Sequence, residues 1–96
     1  MKVRILRDAR EDIDVILAEL RDVSPQGAAS VAARLTKAFA VLSDQPRSGR
    51  PTGKPNLYRV PLTPHPYIIF YRLAHEAVEI VGLRHGARNP RKMPDG

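Results

Sequence analysis

The sequence predicts an α+β fold of order β-α-α-β-β-β, an antiparallel sheet packed on one face by a helical hairpin. Three observations predict it. Residues 2–6 alternate charged and apolar side chains, residues 9–42 carry two apolar stripes at helical spacing, and residues 57–88 hold three short apolar-rich runs separated by turn chemistry.

The first strand covers residues 2–6, with Val3 and Ile5 on one face and Lys2 and Arg4 on the other, and belongs at or near a sheet edge. Asp8 is placed to cap the first helix, with Glu11 completing a capping box and Asp12 and Asp14 adding negative charge near the positive end of the helix dipole. Ala9, Ile13, Ile16, Leu17, Leu20 and Val23 form its buried stripe. Ser24-Pro25 ends this helix and starts the next, because proline is excluded from a helix interior but suits the first position after a serine cap. The second helix buries Ala28, Val31, Ala32, Leu35, Phe39 and Leu42 and ends near Ser43-Asp44. Residues 44–56 hold three prolines, two glycines and the cations Arg47, Arg50 and Lys54, which reads as a restricted loop delivering basic groups to one end of the sheet.

A turn around residues 74–77 pairs Arg72 with Glu79, Tyr71 with Ile80, Phe70 with Val81 and Ile69 with Gly82. A turn near Pro64-His65 pairs Arg59 with Phe70 and Val60 with Ile69. Alternation then puts Tyr58, Val60, Leu62, Ile69, Tyr71, Leu73, Val78 and Ile80 on one uncharged face, which the helices are expected to cover. The opposite face is expected to present Arg59, Arg72, Glu79 and His85, with Phe70, Val81 and Leu83 as an apolar floor.

Length and charge bound the function. The 96 residues suit a single domain over residues 1–90, followed by a basic tail at 91–96. Sixteen Lys+Arg against ten Asp+Glu leave a net charge of +6, so the expected partners are anionic: nucleic acid, an acidic protein segment or a membrane surface. No run reaches the roughly 18 apolar residues of a membrane span, and the start MKVRILRDAR lacks a signal-peptide core, so a cytoplasmic location is expected. The absence of cysteine excludes a disulfide framework and a thiolate zinc site.

His65, His75 and His85 lie ten residues apart without the spacing of a metal site, so neither metal nor cofactor is expected. His65 and His75 fall in turns. His85, at the end of the last strand, is a candidate general acid or base, a phosphate contact, or simply a surface residue packed on its neighbours. Converging arginines suit bidentate recognition of phosphate or carboxylate. Arg50 and Arg59 are read as binding groups, and Arg72 first as the partner of Glu79. Phosphate-binding loops, dinucleotide fingerprints, nucleophile elbows and paired catalytic acids are all missing from the sequence.

Four motifs in order carry a family resemblance. Residues 9–16 (AREDIDVI) are similar to Ala-x-x-Asp-Leu-x-x-Ile, and residues 46–51 (PRSGRP) to Pro-x-x-Gly-Arg-Pro. Residues 67–72 (YIIFYR) are similar to Tyr-Arg-Ile-x-Tyr-Arg, and residues 85–88 (HGAR) to a terminal His-x-x-Arg. Together they resemble the ParE/RelE superfamily of type II toxin-antitoxin toxins, also labelled plasmid stabilisation proteins, over residues 1–90. The resemblance implies a basic toxin in a hetero-oligomer with a cognate acidic antitoxin of ribbon-helix-helix type. ParE-like members poison DNA gyrase without a conventional active site, whereas RelE-like members are ribosome-dependent mRNA endoribonucleases. A lysine-rich stretch before the second sheet strand and a tyrosine after Tyr71, both RelE features, are missing here, so the ParE branch is favoured. The expected target-binding residues are Arg50, Lys54, Arg59, His85 and Arg88. Arg59, His85 and Arg72 would be catalytic only in the nuclease alternative. A binding module of the same fold without toxicity is the second alternative.

Overall fold

Alternation in Lys2–Ile5 forms β1, and the chain passes directly into α1 (Arg7–Val23) and then α2 (Pro25–Asp44) in the computed structural model, which describes residues 1–86. Four strands follow: β2 (Arg50–Pro51), β3 (Tyr58–Pro61), β4 (Tyr67–Ala74) and β5 (Ala77–His85). They build one five-stranded sheet in the order β1-β5-β4-β3-β2. The expected α+β architecture is observed with two additions. A two-residue strand, β2, interrupts the proline-rich loop, and β1 pairs with β5 in parallel, while all other pairs are antiparallel.

The entry to α1 differs from the sequence expectation. Its N-cap is Leu6, which makes no side-chain cap, and Asp8 lies inside the first turn. The Leu6 N–H donates to the Ile80 carbonyl at 3.0 Å while the Leu6 carbonyl accepts from the Arg10 N–H at 2.9 Å, so the last sheet bond and the first helical bond share one residue. No position remains for a polar cap, and the acidic first turn acts through the dipole alone. The Ser24-Pro25 junction is as expected. Ser24 Oγ accepts from the Gly27 N–H at 3.0 Å, and the Ser24 N–H donates to the Leu20 carbonyl, so one serine closes α1 and caps α2.

The helices bury Ala9, Val31, Leu35, Ala38 and Leu42 against Leu62, Ile69, Tyr71, Val78, Ile80 and Leu83. Val23, expected in the α1 stripe, is 85% exposed because the chain turns away at Ser24 before that position meets the sheet. The β3–β4 register is as expected, with Arg59 opposite Phe70 and Val60 opposite Ile69. In β4–β5, Arg72 pairs with Glu79 and Tyr71 with Ile80 as expected, but Phe70 then pairs with Gly82 and Ile69 with Leu83. Val81 is an extra residue, a bulge that reverses the facing of every later β5 position. Leu83 and His85 therefore fall on the helix-covered face and Arg84 on the other, the opposite of the unbulged alternation.

Candidate functional site

The sheet face away from the helices collects its charge from every strand. Strand alternation and register place Arg4, Arg50, Arg59, Arg72, Glu79 and Arg84 there. Phe70, opposite Arg59 and Gly82, is wholly buried between them.

Acids neutralise part of this array. Glu79, whose side chain is only 13% exposed, accepts from Arg72 Nε at 2.6 Å and lies 3.6 Å from Arg4 Nη1. Arg72 is thereby held by a charge-assisted hydrogen bond on its neighbouring strand. Asp12 of α1 does the same at the margin of β5. β1 ends at Ile5, so on its β1 side β5 has no strand partner at Leu83. Asp12 Oδ2 accepts from the Leu83 N–H at 3.1 Å and pairs with the Arg84 guanidinium. Sequence reasoning assigned Asp12 only to the helix dipole. Its true partner lies 71 residues away, and nothing local signals it.

Arg50 and Arg59 face each other directly across β2 and β3. Among the described residues neither takes part in a salt bridge. Their placement depends on Tyr71. Its hydroxyl donates to the Pro46 carbonyl at 2.9 Å and accepts from the Gly49 N–H at 2.9 Å, while its ring stacks on Tyr58 at 5.4 Å. Gly49 is required sterically, because a Cβ there would sit 2.5 Å from the Tyr71 hydroxyl and 2.9 Å from the Arg59 carbonyl. Burial raises the Tyr71 pKa above its ordinary value, the Gly49 hydrogen bond opposes the rise, and Tyr58 adds to it. The Pro46-x-x-Gly49-Arg50 pattern is thus a loop folded around one phenol, with Arg50 as its outgoing residue. Lys54 is exposed in the turn between β2 and β3.

The bulge separates His85 from this array. His85 pairs with Tyr67, lies edge-on to its ring at 5.5 Å, and has a buried Nδ1 without a hydrogen-bond partner among the described residues. The expected meeting of His85 with Arg59 and Arg72 on one face does not occur. Gly82 was the available signal, since glycine inside a strand often marks a bulge. His65, half-buried, has Nε2 3.4 Å from Ser30 Oγ, and the exposed His75 lies 3.7 Å from Glu76. Arg88 and the tail at 91–96 lie outside the described residues. Among the described residues no group of three or more His, Asp or Glu side chains is arranged to hold a metal ion. No described helix is long and apolar enough to cross a membrane.

A second feature lies on the helical side. Ile5, Ile13, Leu17, Ala32, Leu35 and Phe39 line a groove of about 180 Å³ between the two helices, rimmed by Arg10, Asp14 and Thr36. The exposed large apolar side chains of the described residues are Met1, Val15, Val23 and Val41, all in the N-terminal segment or the helices.

Comparison with known proteins places these features in context. Residues 3–90 match the family model described as ParE toxin of type II toxin-antitoxin system, parDE. The chain is 34% identical over 84 residues to a Sinorhizobium fredii protein named "Putative toxin Y4kP", covering 88% of this chain and 86% of that one. Its fold is similar to a chain of the solved structure titled "Chromosomal ParDE TA system from P. aeruginosa". That match has a TM-score of 0.77 at 19% identity, over 88% of this chain and 95% of the other.

Proposed function

Because the chain belongs to the ParE toxin family of type II toxin-antitoxin systems, we propose that it inhibits DNA gyrase in the cytoplasm and is neutralised by a cognate acidic antitoxin. The observation that carries this choice is the separation of His85 from the arginines by the Val81 bulge. Cleavage of RNA by its own 2′-hydroxyl calls for a proton acceptor and donor beside the phosphate. On the face that holds Arg50 and Arg59, the one strand-borne carboxylate is Glu79, and it is committed to Arg4 and Arg72. Such a face binds anions without moving protons, which suits a poison that acts by occupying its target.

The groove between α1 and α2 supports the antitoxin half of the reading. It is lined mostly by apolar side chains of two helices, a surface that suits the apolar face of an amphipathic segment. A partner anchored there with acidic flanks complements a +6 chain and leaves a hetero-oligomer.

The test is expression with and without the antitoxin, followed by gyrase supercoiling and cleavage assays beside primer extension on cellular mRNA. Gyrase inhibition with intact messenger is the expected result. Codon-phased mRNA cuts lost in Arg59→Ala or His85→Ala would replace this reading with ribosome-dependent endonuclease activity. Growth unaffected by the chain alone would replace it with a binding module.

A further inference from the structure

Directly opposed residues of an antiparallel pair hold their Cβ atoms about 4.5–5.5 Å apart, and like charges at that spacing repel. Arg50 and Arg59 stand in this relation. On this face Glu79 matches Arg4 and Arg72, and Asp12 of α1 reaches Arg84 at the margin of β5, so the chain has the means to neutralise arginines and leaves this pair without a salt bridge among the described residues. The Tyr71 phenol, through Pro46 and Gly49, fixes the loop that brings Arg50 to Arg59. Two guanidinium forks on directly opposed residues, without a salt bridge among the described residues, are complementary to one oxyanion with several acceptor positions.

We propose that Arg50 and Arg59 together grip one backbone phosphate of duplex DNA. The inference rests on the gyrase reading only for the choice of DNA. Two observations favour a nucleic acid over an acidic protein segment. First, protein interfaces are anchored by buried apolar side chains, whereas nucleic-acid interfaces are polar and basic. None of the exposed large apolar residues among those described lies on β2, β3, β4 or their connections. Second, the β2 edge is closed to an added peptide strand. It is two residues long, and the Thr52 N–H donates to the Leu57 carbonyl, so alternation aims position 51 away from β3, where Pro51 offers no N–H.

The experiment is fluorescence anisotropy of a short labelled DNA duplex with the purified chain, titrated at several salt concentrations between about 50 and 200 mM. The Arg50→Gln/Arg59→Gln variant is expected to bind about tenfold more weakly, with the salt slope reduced by about one unit, as for loss of one phosphate contact. Arg50→Lys/Arg59→Lys keeps the charge and is expected to retain the slope but lose several-fold in affinity, because ammonium groups cannot form the fork. Lys37→Gln, on the exposed side of α2, is the control and is expected to bind like wild type.

Failure of the duplex to bind, wild-type binding by the glutamine double variant, or an equal loss in Lys37→Gln would overturn the proposal. So would displacement of the duplex by a polyglutamate peptide at lower charge concentration than unlabelled DNA. Gyrase supercoiling with the same proteins separates the two readings. Inhibition with wild-type duplex binding by the double variant sinks the phosphate site alone. Weakened duplex binding by the double variant without gyrase inhibition by the wild type sinks the gyrase reading alone.

Discussion

The Gly49 N–H donates to the Tyr71 hydroxyl at 2.9 Å, joining a loop residue to the middle of β4 across 22 positions of sequence. The same hydroxyl donates to Pro46. A single phenol therefore satisfies two backbone groups of the loop between α2 and β2 and decides where Arg50 enters the sheet.

Tyr71→Phe keeps the stack on Tyr58 and removes both hydrogen bonds. The expected loss is about 1–2 kcal/mol, because two half-buried backbone groups lose their partner. Chemical denaturation checks it, and amide exchange should rise at Gly49 before it rises in β4.

Gly49→Ala tests the same contact from the other side. The added methyl would overlap the Tyr71 hydroxyl and the Arg59 carbonyl, and the second of these is backbone that cannot swing aside. Overpacking of this kind costs about 1–3 kcal/mol. The denaturation midpoint should fall, and Tyr71→Phe/Gly49→Ala should not restore it, because ring carbon Cε1 at 2.8 Å and the Arg59 carbonyl at 2.9 Å still meet the methyl.

Alkaline pH acts on this phenol. Its folded pKa is raised above the unfolded value by burial, so the folded state holds its proton longer than the unfolded chain. This contribution to stability is fully present below the ordinary tyrosine range and is lost as pH rises through the folded pKa. Wild type should lose stability more steeply than Tyr71→Phe above about pH 10, read from denaturation midpoints across an alkaline series.

Glu79 serves two arginines unequally. The Arg72 contact is short and the Arg4 contact is long, and both arginine side chains are about half exposed. Solvent screening keeps the first coupling to about 0.5–1 kcal/mol and the second near zero. Double-mutant cycles with alanine at each pair should return that order.

Asp12→Ala removes a carboxylate that caps an otherwise unpaired strand N–H and pairs with Arg84. The cost should be about 1–3 kcal/mol. Faster hydrogen exchange at the Leu83 amide, with little change at Ile80, distinguishes a lost cap from general loosening.

These contacts also show what the sequence could and could not reveal. The Arg72–Glu79 pairing was legible because a two-residue turn at His75-Glu76 and opposite charges agree on one register. The helical hairpin was legible because Ser24 and Pro25 both act within a few residues of their own positions. Asp12, Tyr71 and the bulge were not, for a common reason. Each depends on a partner on another element, and the side chain itself is equally at home in a simpler role: dipole acid, core aromatic, regular strand. One skipped residue at Val81 was enough to carry His85 away from Arg59, so a feature signalled only by Gly82 is also the one that separates the two functional readings.

The parallel pairing of β1 with β5 has a consequence for the order in which the molecule comes into being. Residues 2–5 pair with residues 77–80, and both helices and three strands lie between the two segments in sequence. Because β5 lies between β1 and β4, β1 cannot join the sheet until β5 is in place. Contacts of such long sequence separation form late and raise the entropic barrier to folding. A chain that lacks β5 keeps neither β1 in place nor the Asp12 bond to Leu83.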